Sequence, residues 1–535
     1  MKFKKVITTF FAAAVALNMA TSTAVSAQEQ AISIATMGEL STLDSALYSD
    51  VPSSDMIGQV FEGLYRVAKG TEVELGQAES VEISEDGLTY TFKLREGLKW
   101  SNGDPVTAYD FEFTYRRLVD PQSGSRASSV TVFKNAAAIR EGNAPVEELG
   151  VKAVDDLTLE ISLEYPAPYL PKLLTGSRFL PVSKKFFEDK GEQYGTSAEN
   201  IVTNGPFKME GWNGTNLEWN LVRNEEYWDA ANVQLDKALV QVVKENATGA
   251  DLFDAGQLDY TVLSDQLVSQ YEGGEEFHTV PKATIGYMSF NTLRETTANK
   301  HVRRAIAQAF DKDLYASSVI QDGSQPLNGQ VPVNFDIDAD GKDYREESGD
   351  LLTYNVEAAQ ADWAKAKEEL GKEEIELELL TSDVGLSKRT AEFLQAQLQE
   401  NLPGLTLTIK SVPLKNRLEF QRASDFDIFY GTWAPDYQDA INFIEQYETG
   451  GGINFAKYSN EEVDKLIAQA RHEFANDAAK RREALKQAEK IIVQEDAVVA
   501  PMYQAATSYL LNPAVENFEV YPFGRTINLR TVTVN

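Results

Sequence analysis

Cysteine is absent from all 535 residues, which excludes disulfides, thiolate chemistry and Cys-ligated zinc. Histidine is nearly absent. His278, His301 and His472 are the only three, none lies at metal-ligand spacing with another ionisable cluster, and each is expected as a lone surface residue. The chain has no G-x-S-x-G elbow, no phosphate-binding G-x-x-x-x-G-K-[ST] loop and no dinucleotide-binding G-x-G-x-x-G. Paired carboxylates could serve a glycosidase, but in a chain with 82 acidic residues such pairs arise by chance. The expectation is no enzyme, with a secreted hydrolase as the alternative from that class.

Long apolar runs are also missing. The longest begins at the N-terminus, where Lys2, Lys4 and Lys5 precede the mostly apolar Val6 to Ala20 and then small residues ending in Val25-Ser26-Ala27. That order reads as a signal peptide over 1–27, too short and too weakly apolar for a membrane span. The mature chain is expected outside the cytoplasm, periplasmic or at the cell surface or secreted. Removing the leader's three lysines takes the net charge from −32 to −35. A field of that sign repels nucleic acid and anionic membranes and suits a small cationic or zwitterionic partner.

What is present is an ordinary globular composition, 43% hydrophobic and 10% aromatic, long enough for two to four domains. Ile32, Ile34 and Ala35 make a short strand that ends at Thr36-Met37-Gly38-Glu39, and Ser53 to Leu64 has helical spacing. From Val81 to Leu118 an Asp86-Gly87 hairpin turn, a strand carrying Tyr90, Phe92 and Leu94, then Lys99-Trp100 and the turn Asn102-Gly103-Asp104-Pro105 lead into a helix. Thr107 stands three residues before Asp110 as its start signal. Tyr287 to Asn291 reads as a strand, with Phe290 in the core, and alternating strands and helices from Ala358 to Gln494 indicate a mostly parallel α/β domain. The stretch Asp425 to Tyr447 (DFDIFYGTWAPDYQDAINFIEQY) begins with a buried strand, Ile428 to Tyr430. Gly431 breaks it, and Thr432, Trp433, Ala434, Pro435 and Asp436 then turn sharply, presenting one large aromatic and one carboxylate.

These segments, in this order, resemble the extracytoplasmic oligopeptide-binding proteins, the solute-binding subunits of peptide-importing ABC transporters. The resemblance implies a periplasmic-binding-protein type II (Venus flytrap) fold of class α/β. Two lobes, 28–66 with 200–289 and 510–535, and 290–509, would close by hinge motion, with an extra domain at 67–199. It implies that Asp436 pairs with the α-amino group of a bound peptide, preceded by Trp433 and Tyr430, with backbone groups of Gly431, Thr432 and Ala434 as strand-edge partners. Glu39 matches the acid of the family's first loop, though the arginine that pairs with it in better-known relatives has no counterpart around Tyr430. Tyr287 and Asn291 are expected to line the cleft. The partners implied are an oligopeptide and membrane permease subunits, and the receptor is expected to be a monomer without a cofactor. Gram-positive relatives carry a lipid-anchoring cysteine after the apolar leader, where this chain has Asn18, Met19, Ala20 and Thr21. Other relatives bind dipeptides, peptide pheromones, nickel, haem or oligosaccharides; scarce histidine counts against nickel and haem.

One motif stands apart. Asp336, Asp338, Asp340, Gly341 and Glu347 have the spacing of a calcium loop, hard oxygens around a tight glycine turn. No amphipathic helix leads into it, and a solvated acidic loop is the competing expectation.

Overall fold

The structure, a computed structural model, describes residues 29–125, 127 and 129–535, so the expected signal peptide at 1–27 lies outside the described residues. Two strands organise everything else: Phe277–Phe290, of fourteen residues, and Val499–Leu511, of thirteen. The first is rich in β-branched and aromatic side chains, and the second is mostly apolar. At about 3.4 Å per residue each is long enough to run through two packing units. They lie antiparallel at the middle of an eleven-stranded sheet. Beyond Val499–Leu511 come Tyr260–Leu263, Ala31–Thr36, Lys237–Val242, Glu218–Arg223 and Phe207–Glu210. On the other side, beyond Phe277–Phe290, come Ile428–Trp433, Ile375–Ser382 and Leu405–Val412.

Pairing between the two long strands runs from Phe277 to Pro281 against Leu510 to Ala506, stops, and resumes at Ile285 against Gln504. It slips again between Gly286 and Tyr287. Such irregularities bend a strand and change its twist. Gly286 is required there because a Cβ would lie 1.9 Å from Cε1 of Tyr503, whose ring rests on bare backbone. The sheet is thereby divided into two α/β lobes joined by crossover strands. The expected limits at 289/290 and 509/510 give each long strand to one lobe. The two strands stay paired across those limits, and their register shifts near 281–286 and 501–506.

The segment 67–199 contains a separate antiparallel sheet in the order Ala78–Ile83, Thr89–Leu94, Thr158–Ser162, Val151–Ala153. The helix Ala108–Val119 starts as Thr107 and Asp110 suggest: the Asp110 carboxylate accepts the Thr107 N–H at 2.9 Å. The same carboxylate accepts the Trp100 indole N–H at 3.4 Å, and Trp100 is fully buried. The C-terminal segment returns to the first lobe, where Gln59 donates to Ile527 O and accepts from Leu529 N–H. Among the described residues no helix is long and apolar enough to cross a membrane.

Candidate functional site

The strand Ile428–Trp433 is positioned by its first half and exposed by its second. Ile428, Phe429 and Tyr430 are buried; Thr432 is exposed and Trp433 partly so. One edge pairs along its whole length with the crossover strand, from Phe290 opposite Ile428 to Ile285 opposite Trp433. The other edge pairs with Ile375–Ser382 only at Ile428 and Phe429. From Tyr430 onward no strand among the described residues pairs with that edge. The Arg417 guanidinium covers its start, donating to Tyr430 O at 3.3 Å.

Asn442 then fixes the turn. Its Oδ1 accepts the Trp433 indole N–H at 3.3 Å and the Asp436 backbone N–H at 3.1 Å. A buried side chain thus holds aromatic and acid in one geometry while the Asp436 residue stays exposed. Tyr437, next in sequence, is buried and stacks on Tyr169 of the 67–199 domain, with ring centroids 4.2 Å apart and planes 14° from parallel. Its hydroxyl donates to Glu445 at 2.6 Å, and Glu445 is ion-paired with Arg471.

Ala434, Pro435 and Asp436 face a cavity of about 300 Å³ whose other walls come from every part of the chain. Tyr48, Val51 and Ser54 belong to the first lobe, Lys172, Arg178 and Phe179 to the 67–199 domain, Lys282 to Thr284 to the crossover strand, and Tyr521 to Gly524 to the C-terminal segment. Arg178 is fixed by donation to Ala46 O at 3.3 Å and Tyr48 O at 3.1 Å, with its guanidinium 4.3 Å from the Tyr48 ring centre. Behind this wall Asp55 accepts from the Thr526 N–H and hydroxyl, and burial pushes its carboxyl up to about 6.

The remaining expected residues divide. Tyr430 is buried with its hydroxyl 3.2 Å from that of Tyr503. Tyr287 is packed edge-on against Phe429, and burial raises its phenol to about 12. Neither faces the cavity. Asn291 is corrected outright: 2% exposed, it donates to Ser424 O at 2.8 Å and Phe426 O at 3.1 Å, bracing loops inside the second lobe. Glu39 is exposed and pairs with Lys244, which lines a second, wider opening of about 780 Å³ between the lobes with Met37, Asp265 and Arg389. Arg389 and Asp265 form an ion pair across it at 3.1 Å. The cation for Glu39 thus comes from the end of a neighbouring strand and not from the Trp433 segment.

The calcium reading of 336–347 is also corrected. Arg482 occupies the place of the cation: it pairs with Asp336 at 2.8 Å and Glu347 at 2.6 Å and donates to Lys342 O at 2.9 Å. Asp338 accepts the Asp340 and Lys342 N–H groups, both at 2.9 Å. Among the described residues no group of three metal-ligating side chains converges. His301 is not a lone surface residue either; its Nδ1 lies 2.7 Å from Asp362. Sequence reasoning missed Tyr169, Lys172, Arg178, Lys282 and Asn442. Asn442 alone had a local signal, as a polar residue one turn after the Trp433–Asp436 loop.

Comparison with known proteins shows the family and the fold. Residues 72–455 match the family described as bacterial extracellular solute-binding proteins, family 5 middle. The dipeptide-binding protein of Lactococcus lactis subsp. cremoris is 32% identical over 512 residues, covering 93% of each chain. The oligopeptide-binding protein OppA of Bacillus subtilis is 32% identical over 477 residues, covering 86% of this chain and 85% of the relative. The structure of Listeria monocytogenes OppA bound to peptide superposes with a TM-score of 0.76 at 38% identity, over 95% of this chain and 99% of that one.

Proposed function

This chain belongs to the family 5 bacterial extracellular solute-binding proteins, and on that premise we propose that it is the peptide receptor of an ABC importer, with Asp436 as anchor for the ligand's free amine. A receptor that accepts many sequences holds what all peptides share. Backbone N–H and C=O groups add along the unpaired edge beyond Tyr430, at Gly431, Thr432 and Ala434, and a carboxylate meets the terminal ammonium. Side chains enter hydrated pockets, where water fills what they do not. The two lobes close over the ligand and the closed form docks on the permease. The receptor works outside the cytoplasm, as a monomer, without turnover and without nucleic acid.

The observation that supports this most is that Ala434, Pro435 and Asp436 face a cavity walled by both lobes, in a chain that superposes over 95% of its length on a peptide-bound OppA. Calorimetry with a free-amine pentapeptide and its N-acetyl twin tests it. A charge-assisted bond shielded from water contributes about 1.5–3 kcal/mol, so acetylation is expected to weaken binding roughly tenfold to a hundredfold. Equal affinities would remove Asp436 from the amine site, and product release on incubation would point to a hydrolase.

A further inference from the structure

The chain carries a net charge of −32, yet the described charged residues on the cavity beside Asp436 are Lys172, Arg178 and Lys282 against that one acid. Arg178 is already braced by two carbonyls and the Tyr48 ring. Lys172 and Lys282 are half-buried, and among the described residues their acidic neighbours, Asp336 and Asp55, act on them electrostatically and not through an ion pair in contact. Their nearest electrostatic company is indirect. Asp55, behind the wall, acts on Lys282, and Asp336, itself bridged by Arg482, acts on Lys172. The two lysines come from different bodies, Lys172 from the 67–199 domain and Lys282 from the crossover strand, so both bear on the same space only because the lobes meet around it.

Closing such a cavity on a neutral guest would strip water from two ammonium groups whose acidic neighbours, Asp55 for Lys282 and Asp336 for Lys172, lie outside its lining. That costs free energy unless an anion arrives with the guest. A peptide ammonium on Asp436 makes the imbalance worse, since it uses the only described carboxylate on the lining. We propose that this cavity is a specificity subsite for an acidic side chain, carried by one of the two residues nearest the peptide's free amine, with Lys172 and Lys282 as its recognition groups. The proposal rests on the amine-anchor reading above and adds the side-chain class. A carboxylate completes the charge balance, and a basic side chain at the same position is repelled. Discrimination therefore comes from both the attraction and the penalty.

The test is calorimetry on the mature protein with free-amine pentapeptides that differ only at residue 1 or 2, carrying Glu, Gln or Lys. Glu at one of these positions is expected to bind at least about tenfold tighter than Gln, and Lys weaker than Gln. Lys172→Gln and Lys282→Gln, made singly, are each expected to shrink the Glu-to-Gln ratio by weakening the Glu peptide while the thermal midpoint of the unliganded protein is unchanged, which separates lost recognition from lost folding. A wild-type ratio near one overturns the proposal, as does a ratio that survives both substitutions. The dipeptide Ala-Ala and its C-terminal amide distinguish the two sources of a carboxylate. If amidation abolishes binding while the Glu-to-Gln ratio is one, the cations serve the chain's own terminus and the side-chain assignment is wrong. The amine anchor is read separately, from the free-amine to N-acetyl ratio of the Gln peptide, and if no peptide binds both readings fall.

Discussion

Two acid-bearing turns of the second lobe look alike in sequence and behave differently in space. Residues 336–347 carry Asp336, Asp338, Asp340 and Glu347 at a calcium-like spacing, and the fold bridges two of them, Asp336 and Glu347, with Arg482. Residues 433–436 offer a single carboxylate after a tryptophan, and the fold opens it onto a cavity shared by both lobes. The first is a structural joint, two of its carboxylates tied together by an arginine of the same chain. The second is anchored from below by Asn442 and faces space whose described charges are not balanced. A cluster of ligating side chains is thus a weaker indication of a site than a lesser group beside unfilled volume. What decides is whether the carboxylate borders a cavity shared by both lobes.

The sharpest way to break that contrast is to remove the internal cation. Arg482→Met leaves Asp336 and Glu347 without their partner. Because Arg482 keeps some contact with water, the expected loss is about 2–4 kcal/mol of stability, below the full cost of a buried unpaired charge. Denaturant unfolding should show it, while peptide affinity of the folded protein stays unchanged. Added calcium should not shift the midpoint of the wild type, and a clear shift would restore the calcium reading.

Next in size is a pH effect at the cavity wall, where Asp55 contrasts with Asp336 in having only hydroxyl and amide partners in contact. Its folded pKa of about 6 exceeds the ordinary 3.8, mainly through burial. The folded chain therefore binds more protons between those values. The stability from neutral Asp55 is complete below about pH 4 and disappears as pH rises through 6, a span worth roughly 2–3 kcal/mol. Asp55→Asn should flatten stability over that window, and an unchanged slope would show that Asp55 stays ionised when folded. Smaller again is Asp436→Asn, expected to weaken free-amine peptides by about 1.5–3 kcal/mol while leaving N-acetyl peptides and unfolding unaffected. A parallel loss for both peptides would mean that the loop was distorted and not that a charge was lost.

The contrast also explains what was legible in the sequence. Elements whose signals are local could be read: the Thr107 and Asp110 helix start, the Asp86-Gly87 turn, the buried Trp100, and the strand that ends at Trp433. The order of these pieces carried the fold through family likeness. Asn291 could not be placed, because a polar residue at a strand end can equally face a ligand or cap neighbouring loops, and Ser424 O and Phe426 O lie far off in sequence. Arg482 is 146 residues from Asp336, so nothing near the calcium-like spacing announces that its cation is built in. Lys172 and Lys282 share a cavity with Asp436 only because distant segments of the chain meet there, and no window of sequence contains that meeting.

The smallest expected effect tests whether the two regions are linked by motion. Tyr169 and Tyr437 stack between the 67–199 domain and the second lobe, one residue past Asp436, and each is nearly buried in this arrangement. If the lobes separate, both rings are exposed, so their contact contributes to closure and not to the core of either body. Tyr169→Ala should then weaken peptide binding by about 1 kcal/mol, roughly fivefold, with the thermal midpoint of the unliganded protein nearly unchanged. Tyr169→Phe keeps the ring and loses only the hydroxyl that lies 3.2 Å from Tyr165, so it should retain most of the affinity. The opposite result, a drop of several kcal/mol in stability with affinity intact, is what truncating a true core aromatic produces. In that case the domain and the second lobe form one rigid body, and the cavity beside Asp436 fills without the lobes closing on it.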